Sequence, residues 1–274
     1  MAQGTVQTPQ ATPDLTAFKE RQKQVWGSFE AAAMFTLPAA ARLVRFAGVR
    51  AGDRVLDVGT GTGNVAISAA REGASVVGSD LTPPLLEAAK RRAQAAGIGG
   101  IEWREADAEA LPFQDAAFDV VLSQFGHMFA PRPEVAVREM LRVLKPGGRI
   151  AFSTWPPESL PGRMFSFQAR FLPPPAGVPP VAQWGETATI RSRLGAGVRD
   201  LRFERGSFAI PALGPRHLVA WQEANLGPAK ALAAALDSNP QAGAVRAEYA
   251  ALLEPFFDGN EARHDYLMTR AVKA

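Results

Sequence analysis

The segment Arg54-Val-Leu-Asp-Val-Gly-Thr-Gly-Thr-Gly-Asn64 constrains this chain more than any other. Val55, Leu56 and Val58 make a short apolar run that reads as a strand, and it carries one acid, Asp57. The run breaks into three glycines, each two apart: Gly59, Gly61 and Gly63, with Thr60 after the first. A helical run from Val65 to Ala70 follows. A glycine-rich turn between strand and helix lets a ligand touch the backbone, because no Cβ stands in the way. The acid narrows the choice of ligand. A turn that cradles a pyrophosphate avoids a carboxylate beside the phosphates. An acid at the strand end instead suits a ligand with a cationic group and no phosphates.

Strand and helix then alternate. Strands are expected at 54–58, 75–79, 101–105, 118–123 and 149–155, with helices at 63–72, 83–96 and 133–144. Such alternation implies a parallel sheet with helices on both faces and a ligand across the carboxyl ends of its strands. The second strand ends in Asp80, where an acid accepts hydrogen bonds from ribose hydroxyls. Dinucleotide enzymes share that acid, so Asp80 alone does not choose the ligand. Further anchors are Glu105-Ala-Asp107-Ala108, the apolar strand Phe118–Ser123, and Leu141–Ile150 with its Pro-Gly-Gly turn.

Taken in order from about Val55 to Trp155, these elements resemble the class I S-adenosylmethionine-dependent methyltransferases. They are most similar to the subgroup with a domain like that of the ubiquinone/menaquinone-pathway enzymes. Leu172–Val178 followed by Trp184-Gly185 resembles a bacterial branch of that subgroup. The resemblance implies an α/β fold: a Rossmann-like, doubly wound, seven-stranded sheet with an antiparallel last strand, plus helical lid insertions. It implies S-adenosylmethionine as cofactor. Asp57, Gly59, Thr60, Gly61 and Gly63 would line its methionine part, and Asp80 would hold its ribose. Leu81 would pack beside the adenine, while Asp107 and the Ala108 N–H would meet the adenine's amine and ring edge. Ser123 and Gln124, ending the central strand, would face the methionine region. His127 is the candidate catalytic residue near the site. Many relatives carry a histidine one position later, where this chain has Met128. His217 and His264 lie in the appended segments and are weaker candidates.

The expected organisation is a disordered tail over 1–14, a helical cap over 15–50, a cofactor-binding core over 51–155, and lid insertions with the last two strands over 156–274. Within the cap, helices are expected at 15–33 and 38–48. Beyond Trp155, helix is expected over 186–195 and 215–257. The resemblance makes 198–210 and 265–272 the sheet's terminal antiparallel pair. Segments 156–185 and 215–257 are then insertions above the site. Lys23, Trp26 and Phe29 have two readings, a lid over the cofactor or a helix packed on the sheet edge. Trp155, Phe165, Phe167, Phe171 and Trp184 are likewise a substrate pocket or plain core.

Composition excludes several chemistries. The 274 residues contain no cysteine, which rules out disulfides, thiolate metal sites and a cysteine nucleophile; no metal site is expected. Thirty Lys+Arg stand against 27 Asp+Glu, and the densest basic run is Lys90-Arg91-Arg92, so no nucleic-acid partner is expected. No run of roughly 18 apolar residues predicts a membrane span. The first 14 residues lack the apolar centre of a signal peptide, so a cytoplasmic protein is expected. The function expected is methyl transfer by in-line displacement to a small, apolar organic acceptor. A general base is required only for a poorly acidic O–H, a protonated amine or a carbon acid. The alternatives are an RNA or protein methyltransferase, which calls for a basic groove, and a non-catalytic or NAD-binding Rossmann-like protein. An NAD turn places its third glycine one residue later and has no acid at position 57.

Overall fold

The structure, a computed structural model, describes residues 15–274. The tail expected over 1–14 lies outside the described residues. The sheet is built from β1 (Arg54–Val58), β2 (Ser75–Asp80), β3 (Glu102–Glu105), β4 (Phe118–Gln124), β5 (Leu144–Thr154), β6 (Val198–Pro211), β7 (Phe257–Asp258) and β8 (Glu261–Lys273). Its order is β3-β2-β1-β4-β5-β8-β6, with the two-residue β7 paired to β8 as an eighth member. The first five strands pair in parallel, and β8 runs antiparallel to both β5 and β6. The expected seven strands with an antiparallel end are therefore present, with one short addition.

The central strands are apolar because helices cover both of their faces. Leu56, Phe118, Leu122, Leu144 and Phe152 are fully buried. Each such side chain contributes about 1.5–3 kcal/mol on burial. The covering helices are α2 (Ala33–Ala47), α3 (Asn64–Arg71), α4 (Pro83–Ala95) and α5 (Pro133–Val143), whereas α1 (Thr16–Trp26) lies over the strand ends. The chain order reverses at β1, since β2 lies on one side of it and β4 on the other. That switch point opens a crevice at the strand ends, and the glycine turn sits there.

The helix expected over 15–33 divides. α1 stops at Trp26, Phe29–Ala32 forms a single 3₁₀ turn, and α2 starts at Ala33, earlier than expected. α2 then runs through Pro38, which the sequence reading takes as the helix start. Pro38 is on the exposed face of α2, where water can satisfy the carbonyl that its missing N–H leaves free.

Beyond β5 come α6 (Leu160–Gln168), α7 (Thr187–Leu194), α8 (Pro215–Asn225), α9 (Gly227–Leu236) and α10 (Ala242–Leu253). α6 falls inside the Pro-rich segment that carries no expected helix. Ser159 caps it by accepting from Gly162 N at 3.2 Å, and Pro161 stands in the first turn, where a missing N–H is harmless. α6 and α8–α10 bury their own apolar cluster, with Leu160, Phe167, Leu218, Leu232, Tyr249 and Leu253 at its centre. None of the helices among the described residues is long and apolar enough to cross a membrane.

Candidate functional site

A cavity of about 260 Å³ lies over the carboxyl ends of the parallel strands. Its walls come from the strand ends, the glycine turn, α1, α2 and the α6/α8 cluster. Of the residues expected at the cofactor, Asp57, Gly59, Thr60, Gly61, Asp80, Leu81, Asp107, Ala108 and Gln124 all line it.

The turn is held from within. Gly59 has φ +65°, and a Cβ there would stand 2.7 Å from the Gly126 Cα, so only glycine fits this crossing of two backbones. Gly63 has φ +84° and packs under Trp103, where a Cβ would meet the indole at 2.8 Å. Gly63 therefore shapes the turn and is not part of the cavity wall. α4 braces the same loop, since Arg92 donates to Thr62 O at 2.8 Å and Thr62 Oγ1 at 2.7 Å.

Two carboxylates flank the turn. Asp57 is buried, and its Oδ2 accepts from Thr60 Oγ1 at 2.6 Å and from Ala66 N at 3.1 Å. Its Oδ1 is buried with no hydrogen-bond partner among the described residues. Burial pushes this carboxyl from 3.8 up to about 7; the bonds from Thr60 and Ala66 pull it down, and the Asp80 charge pushes it further up. Asp80 accepts from Gly61 N at 2.8 Å and Thr82 N at 2.9 Å, one on each oxygen. Burial raises it too, against those backbone bonds. Each oxygen keeps a lone pair for a further donor. An orphaned anionic oxygen beside bare backbone, with a second carboxylate next to it, fits a ligand that brings a cation at one end and hydroxyl donors at the other.

Asp107 stands at the cavity edge after β3. Its Oδ1 accepts from Glu109 N at 2.9 Å and its Oδ2 from Lys19 Nζ at 2.5 Å. Lys19 also reaches Glu109 Oε2 at 2.6 Å, and Arg132 Nε holds the same oxygen at 2.8 Å. This ion cluster fastens α1 over the site. The inward face of α1 is Lys19, Gln22 and Trp26. Lys23 instead points to Glu20 and Glu105 on the outer side. Trp26 and Phe29 do line the cavity, with Trp26 packed on Phe129 at 4.5 Å. Lys19 and Gln22 are missing from the sequence reading, although their spacing with Trp26 puts all three on one helical stripe.

Ser123 and His127 do not reach the cavity. Ser123 Oγ donates to Val58 O at 2.6 Å and accepts from His127 N at 3.0 Å, so it ties β4 to β1 and to the following turn. His127 is 1% exposed, packed between Phe152 and Trp184 with both centroids at 4.6 Å. Neither ring nitrogen has a partner among the described residues. Burial and the nearby Arg193 push this histidine from 6.5 down to about 3. It is a neutral packing residue behind the wall, outside reach of a ligand in the cavity.

The far half of the cavity is aromatic. Phe125 stacks on Trp155 at 3.6 Å and 9°. Phe125 holds a left-handed backbone, φ 59°, which disfavours a bulky residue by about 1–2 kcal/mol. Phe165, Phe208 and Ile210 extend the wall. Of the other expected pocket aromatics, Phe167 stacks on Tyr249 at 4.8 Å inside the α6/α8–α10 cluster, Phe171 packs beside it, and Trp184 is core. The polar groups in this half are neutral: Gln168, Gln222 and His264. Tyr249 Oη donates to Gln222 Oε1 at 3.2 Å. His264 enters the site because β8 runs antiparallel, which carries its early residues to the ligand end of the sheet.

Comparison with known proteins agrees with this fold. The methyltransferase-domain family matches residues 56–152. An uncharacterized protein of Mycobacterium tuberculosis is 43% identical over 212 residues, covering 77% of this chain and 77% of that protein. The demethylmenaquinone methyltransferase of Thermus thermophilus is 45% identical over 118 residues, 42% of this chain and 53% of that enzyme. A putative methyltransferase from Bacillus halodurans superimposes with a TM-score of 0.56 at 23% identity, over 85% of this chain and 98% of that one.

Proposed function

Since the chain belongs to the class I S-adenosylmethionine-dependent methyltransferases, with S-adenosylmethionine as its cofactor, we propose that it methylates a small, uncharged, largely apolar acceptor. The observation that carries this reading is the division of charge in the cavity. Asp57, Asp80, Asp107 and Lys19 all lie at the glycine-turn end, and the aromatic half has only neutral polar groups. A charged acceptor would lose its hydration there without gaining a partner. The name of the Thermus relative supports an apolar acceptor as well.

The orphaned Asp57 Oδ1 supports an ion pair with the α-ammonium of the cofactor. The Asp80 carboxylate suits the two ribose hydroxyls, and its orientation is fixed by Gly61 and Thr82. Leu81 offers the adenine an apolar face, and Asp107 and Ala108 border its edge. The bound cofactor supplies a methyl group already activated on a sulfonium. The chain's work is then alignment and exclusion of water. Trp155 and Phe125 make a rigid floor for the acceptor, while Trp26 and Phe165 wall the site from solvent.

The test is calorimetric titration with S-adenosylhomocysteine, with NAD as control, followed by transfer of labelled methyl to panels of neutral aromatic compounds, RNA and peptides. Micromolar binding of S-adenosylhomocysteine with label on neutral small molecules supports the proposal. Label on RNA or peptides in preference overturns it.

A further inference from the structure

We propose that His264 is a catalytic residue whose Nε2 accepts the proton of an acceptor hydroxyl, making this protein an O-methyltransferase; the inference rests on the function proposed above. His264 Nδ1 lies 3.0 Å from the Ala262 carbonyl on its own strand. A carbonyl only accepts, so Nδ1 carries the ring proton and the neutral ring keeps its lone pair at Nε2. The tautomer is thus set by the backbone, without a second ionisable group. Nε2 has no partner among the described residues, and unlike the nitrogens of His127 it is not sealed inside the core.

The ring is placed for the role. It lines the cavity in the aromatic half, stacked on Phe208 at 5.5 Å and 15°, with Trp155 at 6.4 Å. β6 and β8 hold Phe208 and His264 opposite each other in register, so the imidazole sits on rigid sheet and not on a loop. Burial lowers the His264 pKa from 6.5 to about 4, which leaves the ring unprotonated at neutral pH. A weak base suffices here. A hydroxyl oxygen becomes strongly acidic once a methyl bonds to it, so the proton leaves as that bond forms.

The step balances. A lone pair on the acceptor oxygen forms the new O–C bond, and the C–S bond breaks with its electron pair going to sulfur, which becomes a neutral thioether. The hydroxyl proton passes to His264 Nε2 and from there to solvent after product leaves. The chemistry points to a planar neutral acceptor with one hydroxyl, such as a phenol, its ring against Trp155 and its O–H on His264.

The experiment uses 1-naphthol and its methyl ether as probes, with wild type, His264→Phe and His264→Gln. Wild type is expected to bind the naphthol about tenfold tighter than the ether, by quenching of tryptophan fluorescence, and to place labelled methyl on the oxygen of neutral phenols. His264→Phe should lose the preference and slow O-transfer by about 10²-fold or more. His264→Gln, with an acceptor atom near the same place, should keep part of the preference, and it serves if the Phe variant does not fold. S-adenosylhomocysteine affinity should stay within twofold in both variants. Retained preference and rate in the variants overturns the inference, as does transfer by wild type to nitrogen or carbon and to no phenol oxygen. Failure of wild type to bind S-adenosylhomocysteine would instead remove the underlying reading.

Discussion

Asp57→Asn should stabilise the free protein while disabling its cofactor site. In the free protein Asp57 is buried, one oxygen is unpaired, and its carboxyl sits at about 7, against 3.8 when exposed. Each tenfold change in proton affinity is worth about 1.4 kcal/mol, so holding the ionised form costs about 4 kcal/mol above neutral pH. The sign follows from the raised value. Below pH 3.8 the carboxyl is neutral folded and unfolded, and no cost arises. As pH rises toward 7 the unfolded chain ionises first, so stability falls until the folded carboxyl ionises too. Asparagine does not titrate, and it keeps an oxygen for Thr60 and Ala66. Its amide NH2 leaves two N–H donors unpaired on one buried group, an offset of about 1–3 kcal/mol that does not depend on pH. The stability gap between variant and wild type should therefore shrink by about 2.5 kcal/mol from pH 8 to pH 5. That is about 5–10 °C in Tm for a chain of this size. Thermal unfolding of both proteins at the two pH values reads this difference directly, and constant terms cancel. Calorimetry on the same samples should show S-adenosylhomocysteine binding weaker by about 10- to 150-fold in the variant, the loss of a charge-assisted hydrogen bond. A gap that does not change with pH, or unweakened binding, would refute the account of Asp57.

Further outcomes follow from the same contacts. Asp80→Ala removes the acceptor of the Gly61 and Thr82 N–H groups and should weaken S-adenosylhomocysteine binding by about 1–3 kcal/mol; unchanged affinity in calorimetry would sink the ribose assignment. Lys19→Ala releases α1 from Asp107 and Glu109, so amide exchange over 16–26 should quicken and S-adenosylhomocysteine should dissociate several-fold faster by stopped flow; equal rates would mean that α1 is held by Trp26 and not by the ion cluster. His127→Leu should leave turnover within a few-fold because the ring is sealed behind the wall, whereas a loss of about 10²-fold would return it to the chemistry.

The parts of this protein legible in the sequence are those set by residues close together in the chain. Asp57, the glycine turn and Asp80 fall within one strand–turn–helix–strand unit, and the parallel alternation that contains them fixes where the switch point opens. Gly63 shows the limit of that reading: its glycine is required by φ and by Trp103, a residue 40 positions on, and so it shapes the turn without lining the cavity. Ser123 is similar, since its hydroxyl closes a bond to β1. Lys19 and Lys23 sit on one amphipathic helix, and only the docking of α1 on the Asp107–Glu109 turn decides which faces inward. α6 is hard to see in the sequence because Pro and Gly ordinarily break helices, yet Pro161 and Gly162 stand in its first turn after a serine cap. His264 was the least legible. Nothing near it in sequence marks a site, and the antiparallel course of β8 alone brings it to the cavity.

The two halves of the cavity are joined through one short piece of backbone. Gly126 crosses Gly59 so closely that neither position admits a Cβ, and Phe125, the residue before it, is the floor of the aromatic half. The left-handed backbone of Phe125 is retained because its ring stacks on Trp155 and its N–H donates to Ser153 O at 3.0 Å. A ligand that settles against Gly59 thus presses on the same segment that positions the acceptor's ring. In-line displacement demands such coupling, since an error of about 1 Å between nucleophile and methyl carbon can lower the rate by about 10²-fold. Under the proposed function, the strain at Phe125 and the bare crossing of Gly59 on Gly126 serve one end: they fix the distance between the carboxylate that holds the cofactor and the aromatic floor that holds the acceptor.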